Sequence, residues 1–188
     1  MPVDITVDLP VDAFLPPEYV EREDLRLEAY RRLAEVRDLA AVEDLRTEWL
    51  DRYGPLPREA EALVAVGRLR AECVRTGVSE VTASVTRPGA GGPGRTGEAV
   101  ARVAPIRLRA SARVRLGRLH PRAIVKEEVD QIIVPLAAGP DLADRLAAML
   151  RELVPAETAD ARPDPDAVAV AAATTMAAGF GPRRAPSI

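Results

Sequence analysis

The feature that most constrains this chain is a four-residue corner, Gly54-Pro55-Leu56-Pro57, set between two segments with helical periodicity. Upstream, Val42, Leu45, Trp49 and Tyr53 share one helical stripe. Downstream, apolar residues recur at helical spacing from Ala60 to Val74. Pro55 cannot continue a helix, and it biases Gly54 away from right-handed α geometry. Gly54 then takes the helix C′ position, where a left-handed conformation meets no Cβ. Pro57 suits the first turn of the next helix, and Glu59 and Glu61 follow at the favourable end of its dipole. The stretch Asp51, Arg52, Tyr53, Gly54, Pro55, Leu56, Pro57 therefore reads as a tight helix-to-helix corner.

Around that corner the rest of the chain falls into place. Val3 to Leu9 alternates apolar and polar residues and reads as a half-buried strand ending at Pro10. Leu25, Ala29, Leu33 and Val36 mark a first helix with Asp24 as its candidate N-cap. The helix from Pro57 to Thr76 carries two stripes. Ala60, Leu63, Val64, Gly67, Ala71 and Val74 form one, and Ala62, Val66, Leu69 and Cys73 the other. Such a helix packs against two layers, and Gly77 is its stop. Val78 to Thr86 and Glu98 to Ile106 read as paired strands, joined by a flexible glycine-rich connection over Pro88 to Gly97. Ser111 to Leu119 reads as a short helix with Val114 and Leu119 inward, closed by His120-Pro121. Ala123 to Leu136 is either a bent strand or two short ones around Glu127-Glu128. Asp141 caps a closing helix carrying Leu142, Leu146, Met149, Leu150 and Leu153. The expectation is an α+β fold: an N-terminal strand, a helical subdomain of about three helices, then a small antiparallel sheet with a short helix and a closing C-terminal helix. Residues 1–154 make the folded domain, and 155–188 a disordered tail rich in Ala and Pro.

Composition narrows the chemistry. Of 188 residues, aromatics make up only 3%, too few to build stacking platforms for bases. Net charge is −3, which argues against a general nucleic-acid binder. One cysteine, Cys73, permits no internal disulfide and points to a reducing compartment. No signal peptide opens the chain, and the apolar run from Ala167 to Phe180 is shorter than the roughly 18 residues a span needs, so a cytoplasmic, non-membrane protein is expected. Met1-Pro2-Val3 reads as the start of an isolated fragment, a natural short gene being the other reading.

No catalytic constellation emerges. Gly94-Arg95-Thr96-Gly97 has no lysine and sits between strands, unlike a phosphate loop opening a helix. A single His120 and a single Cys73, far apart in sequence, supply no metal set, and no nucleophile-elbow motif supports a triad around His120. Cys73 reads as a small core residue and His120 as a helix-ending side chain. The expectation is no enzyme on this chain, no cofactor and no metal. Charge distribution is more informative. Acidic residues crowd the start from Asp4 to Asp24, whereas Arg102 to Lys126 holds eight basic residues and no acid. Within it, Arg113, Arg115, Arg118 and Arg122 on and beside the helix 111–122 are the candidate interaction surface, for protein rather than nucleic acid. The alternative is a stand-alone nucleic-acid-binding module using 102–126.

Two segments carry a resemblance. Residues 7 to 33, VDLPVDAFLPPEYVEREDLRLEAYRRL, resemble the opening of the C-terminal domain of the bacterial transcription-repair coupling factor family. DRYGPLP, residues 51–57, resembles that domain's most recognisable motif, and a Glu- and Leu-bearing helix follows it as in the family. RLHPRAIVKEEVDQIIVPL is similar to the arginine-rich helix and terminal strands of actinobacterial versions. The resemblance covers roughly residues 3 to 153; the glycine-rich connection, the short link from Leu136 to Asp141 and the tail depart from it. It implies a non-catalytic, autoinhibitory regulatory domain. In the family this domain packs intramolecularly on a UvrB-like N-terminal module, masks its UvrA-binding surface and holds back DNA binding. The parent is an ATP-dependent DNA translocase that acts on stalled RNA polymerase in transcription-coupled nucleotide excision repair. Its helicase motifs lie upstream, so DNA is reached through the parent.

Overall fold

A computed structural model describes residues 4–86 and 97–156. The expected flexible connection over Pro88 to Gly97 and the disordered tail fall, but for Gly97 and the first tail residues, outside the described residues. In chain order the elements are β1 (Thr6–Asp8), α1 (Glu23–Glu35), α2 (Leu39–Tyr53), α3 (Arg58–Thr76), β2 (Glu80–Thr86) and β3 (Glu98–Ala104). They continue with α4 (Ala110–Leu119), β4 (Ile124–Lys126), a 3-10 turn (Glu127–Val129), β5 (Gln131–Ala137) and α5 (Leu142–Leu153). This is the α+β architecture expected.

The strands form one sheet in the order β1-β2-β3-β5-β4. It is mixed rather than antiparallel throughout, because β1 pairs β2 in parallel, with Thr6 opposite Glu80. Three helices separate these two strands in sequence, and only such a crossover can return the chain to run in the same direction. The other pairings are antiparallel. The segment 123–136 resolves into two short strands: the chain turns at Glu127–Val129, with Asp130 at φ +48°.

Helix α3 is shared between two cores, as its two stripes predict. Ala65, Leu69 and Cys73 join the strands' inward residues Val81, Ala101, Val103, Ile132 and Val134, covered further by Leu142, Leu146 and Leu150 of α5. Ala60, Leu63, Val64 and Ala71 join Ala29 and Leu33 of α1 and Val42, Leu45 and Trp49 of α2. Gly67 sits where α1 crosses α3, and a Cβ there would lie 2.7 Å from Leu33 Cδ1. Val74 departs from its stripe and is exposed, since α1 has already ended beside it.

Four local expectations are corrected. Asp24 is not the N-cap of α1: Arg22 holds that position, and Asp24 lies in the first turn, paired to Arg22 at 2.6 Å. Asp141 occupies the N-cap position of α5, but its carboxylate makes no cap bond and pairs with Arg145 at 2.7 Å. Val114 and Leu119 point to solvent, at 65% and 49% exposure; Ala112 and Leu116 are the residues of α4 that reach the core. Gly54 does have positive φ (+83°), yet its ψ of −167° is extended rather than αL. Pro55 is the reason, since it pushes the preceding residue's ψ toward extended values.

Candidate interaction surface

The corner is built from side chains that brace one another. Gly54 N–H donates to Leu50 O at 3.0 Å, ending α2. The Tyr19 hydroxyl, from the proline-rich link before α1, donates to Trp49 O at 3.1 Å and Gly54 O at 3.0 Å. Its ring meets Tyr53 edge-on at 5.7 Å. Burial, with the nearby Glu61 carboxylate second, pushes the Tyr19 phenol above its ordinary value. Glu48, one turn back on α2, takes both terminal nitrogens of Arg32 at 2.7 Å and Arg52 at 3.1 Å. The hydrogen bonds from Arg32, with Arg52 behind them, hold its carboxyl down at about 2. Tyr19, Glu48, Arg32 and the Gly54 backbone are thus committed to architecture. Tyr19 as the strut is absent from the sequence reading; its place two residues after Pro16-Pro17 is the signal that marks a fixed link there.

The basic stretch does not form one surface. Arg102 lies on the sheet face opposite the buried Ala101 and Val103, because side chains alternate along a strand. On α4, Arg113 is paired with Glu127. Arg115 donates to Glu152 O at 2.6 Å and so caps the last turn of α5. Arg122, beyond the helix, clasps Glu98 of β3, and this hydrogen bond raises its pKa. Arg107 pairs with Asp130 at 2.9 Å. Of the four arginines proposed as a surface, Arg118 alone makes neither an ion pair nor a hydrogen bond among the described residues. The exposed Val114, Leu119, Ile124 and Val129 lie along the same segment.

Glu72 and Cys73 also serve the framework. Glu72 is almost fully buried on α3 and is held by Arg75 at 2.7 Å and by Arg151 of α5 at 3.1 Å. Burial pushes the Cys73 thiol up to about 12, so it stays protonated and unreactive near neutrality. His120 closes α4 through its backbone N–H, which donates to Leu116 O at 2.7 Å. Among the described residues no group of three or more His, Cys, Asp or Glu is placed to hold a metal ion. No described helix is long and apolar enough to cross a membrane.

Fold and surface together define an α+β domain with arginine–carboxylate pairs bracing both of its cores. A family model described as TRCF domain matches residues 9–88, a span that contains the corner. Over 138 residues the chain is 43% identical to transcription-repair-coupling factors of Mycobacterium bovis and Mycobacterium tuberculosis, a match covering 72% of this chain. With the Staphylococcus epidermidis protein of the same name it shares 33% identity over 75 residues, 40% of this chain. The chain spans about a tenth of the length of the mycobacterial relatives. Among solved structures, the crystal structure of a C-terminal domain of transcription-repair coupling factor is similar in fold at a TM-score of 0.61. That match has 16% identity and covers 80% of this chain and 91% of the other. The chain belongs to the transcription-repair coupling factor family, and its fold is that of the family's C-terminal domain.

Proposed function

We propose that the domain is a non-catalytic, autoinhibitory regulatory clamp. It docks on the UvrB-like N-terminal module of its parent protein and masks the surface that UvrA would bind. The parent is then the ATP-dependent translocase of transcription-coupled nucleotide excision repair, working in the cytoplasm on stalled RNA polymerase, and DNA is reached through it. The observation that carries this reading is the match to the coupling factors, by family model over residues 9–88, from the link before α1 through the DRYGPLP corner into β2, and at 43% identity over 138 residues. Two features of the molecule support it. Its buried ionisable groups serve packing, and its basic residues divide between two faces instead of lining one phosphate track.

Tethering supplies a high effective concentration, so such a clamp needs only modest intrinsic affinity and stays releasable. Arg118 is the member of the arginine set left to offer a partner. A calorimetric titration of the domain with the separately produced N-terminal module tests the reading. Saturable binding that prior UvrA loading abolishes supports masking. Absence of binding between two folded fragments, together with salt-dependent binding to duplex DNA, would replace the clamp with the nucleic-acid module. Arg118→Glu in the same titration decides whether α4 belongs to the docked surface.

A further inference from the structure

A cleft of about 450 Å³ opens where the two cores meet, between β1, the end of α1 and the end of α3. Its walls are largely apolar, with Ile5, Val36, Val74 and Val78 among them, and three charged side chains border it: Arg70, Arg37 and Glu35. A volume of this order falls within the range of small-ligand sites, roughly 300 to 1,000 Å³.

Arg70 is the unusual member. Its Nη1 donates to Ile5 O at 2.6 Å, and its Nη2 reaches Ala34 O only at 3.5 Å. Its Nε is buried and has no hydrogen-bond partner. Elsewhere in this protein the same Nε–Nη2 edge of an arginine clasps a carboxylate side-on. Arg46 does so with Glu61 at 3.0 and 2.5 Å, and Arg68 with Glu43 at 2.6 and 3.4 Å. Arg75 turns the same edge to Glu72, with both nitrogens on the single oxygen Oε2 at 2.8 and 2.7 Å. A half-buried guanidinium normally finds such a partner, because an unpaired donor out of water is costly. Among the described residues no carboxylate closes on this edge, whose Nε is covered by protein atoms rather than by a partner.

We propose that this cleft binds a small apolar carboxylate, its head group on Nη2 of Arg70 and, as the side chain shifts, on the Nε that protein atoms cover, with its tail along Val36, Val74 and Val78. The long contact to Ala34 O is given up and the short one to Ile5 O is kept. Arg37 adds a second positive charge at the mouth. With the bond to Ile5 O kept and the one to Ala34 O released, the ligand's tail along Val36 takes over the link to the end of α1. The site is independent of the docking reading and stands or falls without it.

Octanoate is the probe. Titrated into the intact chain, it should give saturable amide shifts at Val36, Gly77 and Val78, while octylammonium, with the same tail and opposite charge, gives none. Arg70→Lys keeps the charge but lacks the side-on edge, and should weaken octanoate by about tenfold or more. Since Arg70 is also a strut, a second variant guards the test. Val74→Trp, at an exposed position on the rim, should block octanoate while leaving the thermal midpoint near the parent's. Glu35→Gln should tighten binding. No saturation by octanoate in the folded chain, equal binding of octylammonium, or unchanged affinity in Val74→Trp overturns the site.

Discussion

On one side α3 buries Leu69 and Cys73 against strands and α5; on the other it buries Leu63, Val64 and Ala71 against α1 and α2. The sheet side is aliphatic up to Glu72 at its end. The helical side is rimmed by arginine–carboxylate pairs, Arg46 with Glu61, Arg32 with Glu48 and Arg68 with Glu43, and closes over Trp49 and the Gly54 corner. Apolar burial is indifferent to pH, whereas rim ion pairs respond to acid and salt. Ion pairs brace the sheet side too, Glu72 with Arg75 and Arg151 and Glu98 with Arg122, so the two sides differ in their cores, and it is the Glu48 carboxyl, held at about 2, that gives the helical side its acid response.

Leu69→Ala tests the sheet side and has the largest expected effect. It opens a void under a fully buried side chain and should lose about 3 kcal/mol in denaturant unfolding. A loss under about 1 kcal/mol would mean the sheet core is loosely filled. Gly67→Leu attacks the other side by forcing bulk into the α1–α3 crossing, at about 2 kcal/mol. Native-state hydrogen exchange should then show α1 amides opening while β3 and β5 stay protected; uniform loss of protection would make the two cores one cooperative unit. Gly54→Val strains a backbone that only glycine adopts freely and should lower stability by roughly 1 to 2 kcal/mol, with Leu69 packing untouched. An unchanged thermal midpoint would show that the corner relaxes.

The smallest effect is acid sensitivity. The Glu48 carboxyl is held at about 2 in the fold, below its ordinary 4.5, so its contribution is complete above pH 4.5 and disappears as pH falls through 2. Both arginine partners are substantially exposed, so the amount is under about 1 kcal/mol. Glu48→Gln should flatten the stability curve between pH 4.5 and 2 by that amount. An identical acid limb in the variant would place the acid sensitivity elsewhere.

What the chain declares about itself is mostly local. The two stripes of α3, the corner at Gly54 and the stop at Gly77 depend on neighbours within a few residues, and each is readable from spacing. Helix α4 is harder. Its ten residues offer Ala112 with Leu116 and also Val114 with Leu119, and the position of α5 selects the first pair. Nothing within 110–119 encodes that choice. The fate of the arginines is equally non-local: Glu127 and Glu98 lie 14 and 24 residues from Arg113 and Arg122, and Glu152 lies 37 from Arg115. Read as a run, they look like a free basic face; folded, three of the four are occupied. The parallel pairing of β1 with β2 likewise spans the three helices between them, and alternation within β1 carries no direction.

The end of α5 has a mechanical side. Its last carbonyls do not simply face water: Arg75 of α3 reaches Val154 O at 2.5 Å, and Arg115 of α4 reaches Glu152 O. Arg151 of the same turn is tied to Glu72. A load applied to the chain beyond Pro155 therefore meets three arginine links to neighbouring helices before it can unravel α5 turn by turn. Force entering at that end is passed sideways into α3, the helix both cores share, so the domain should resist as a block and yield late.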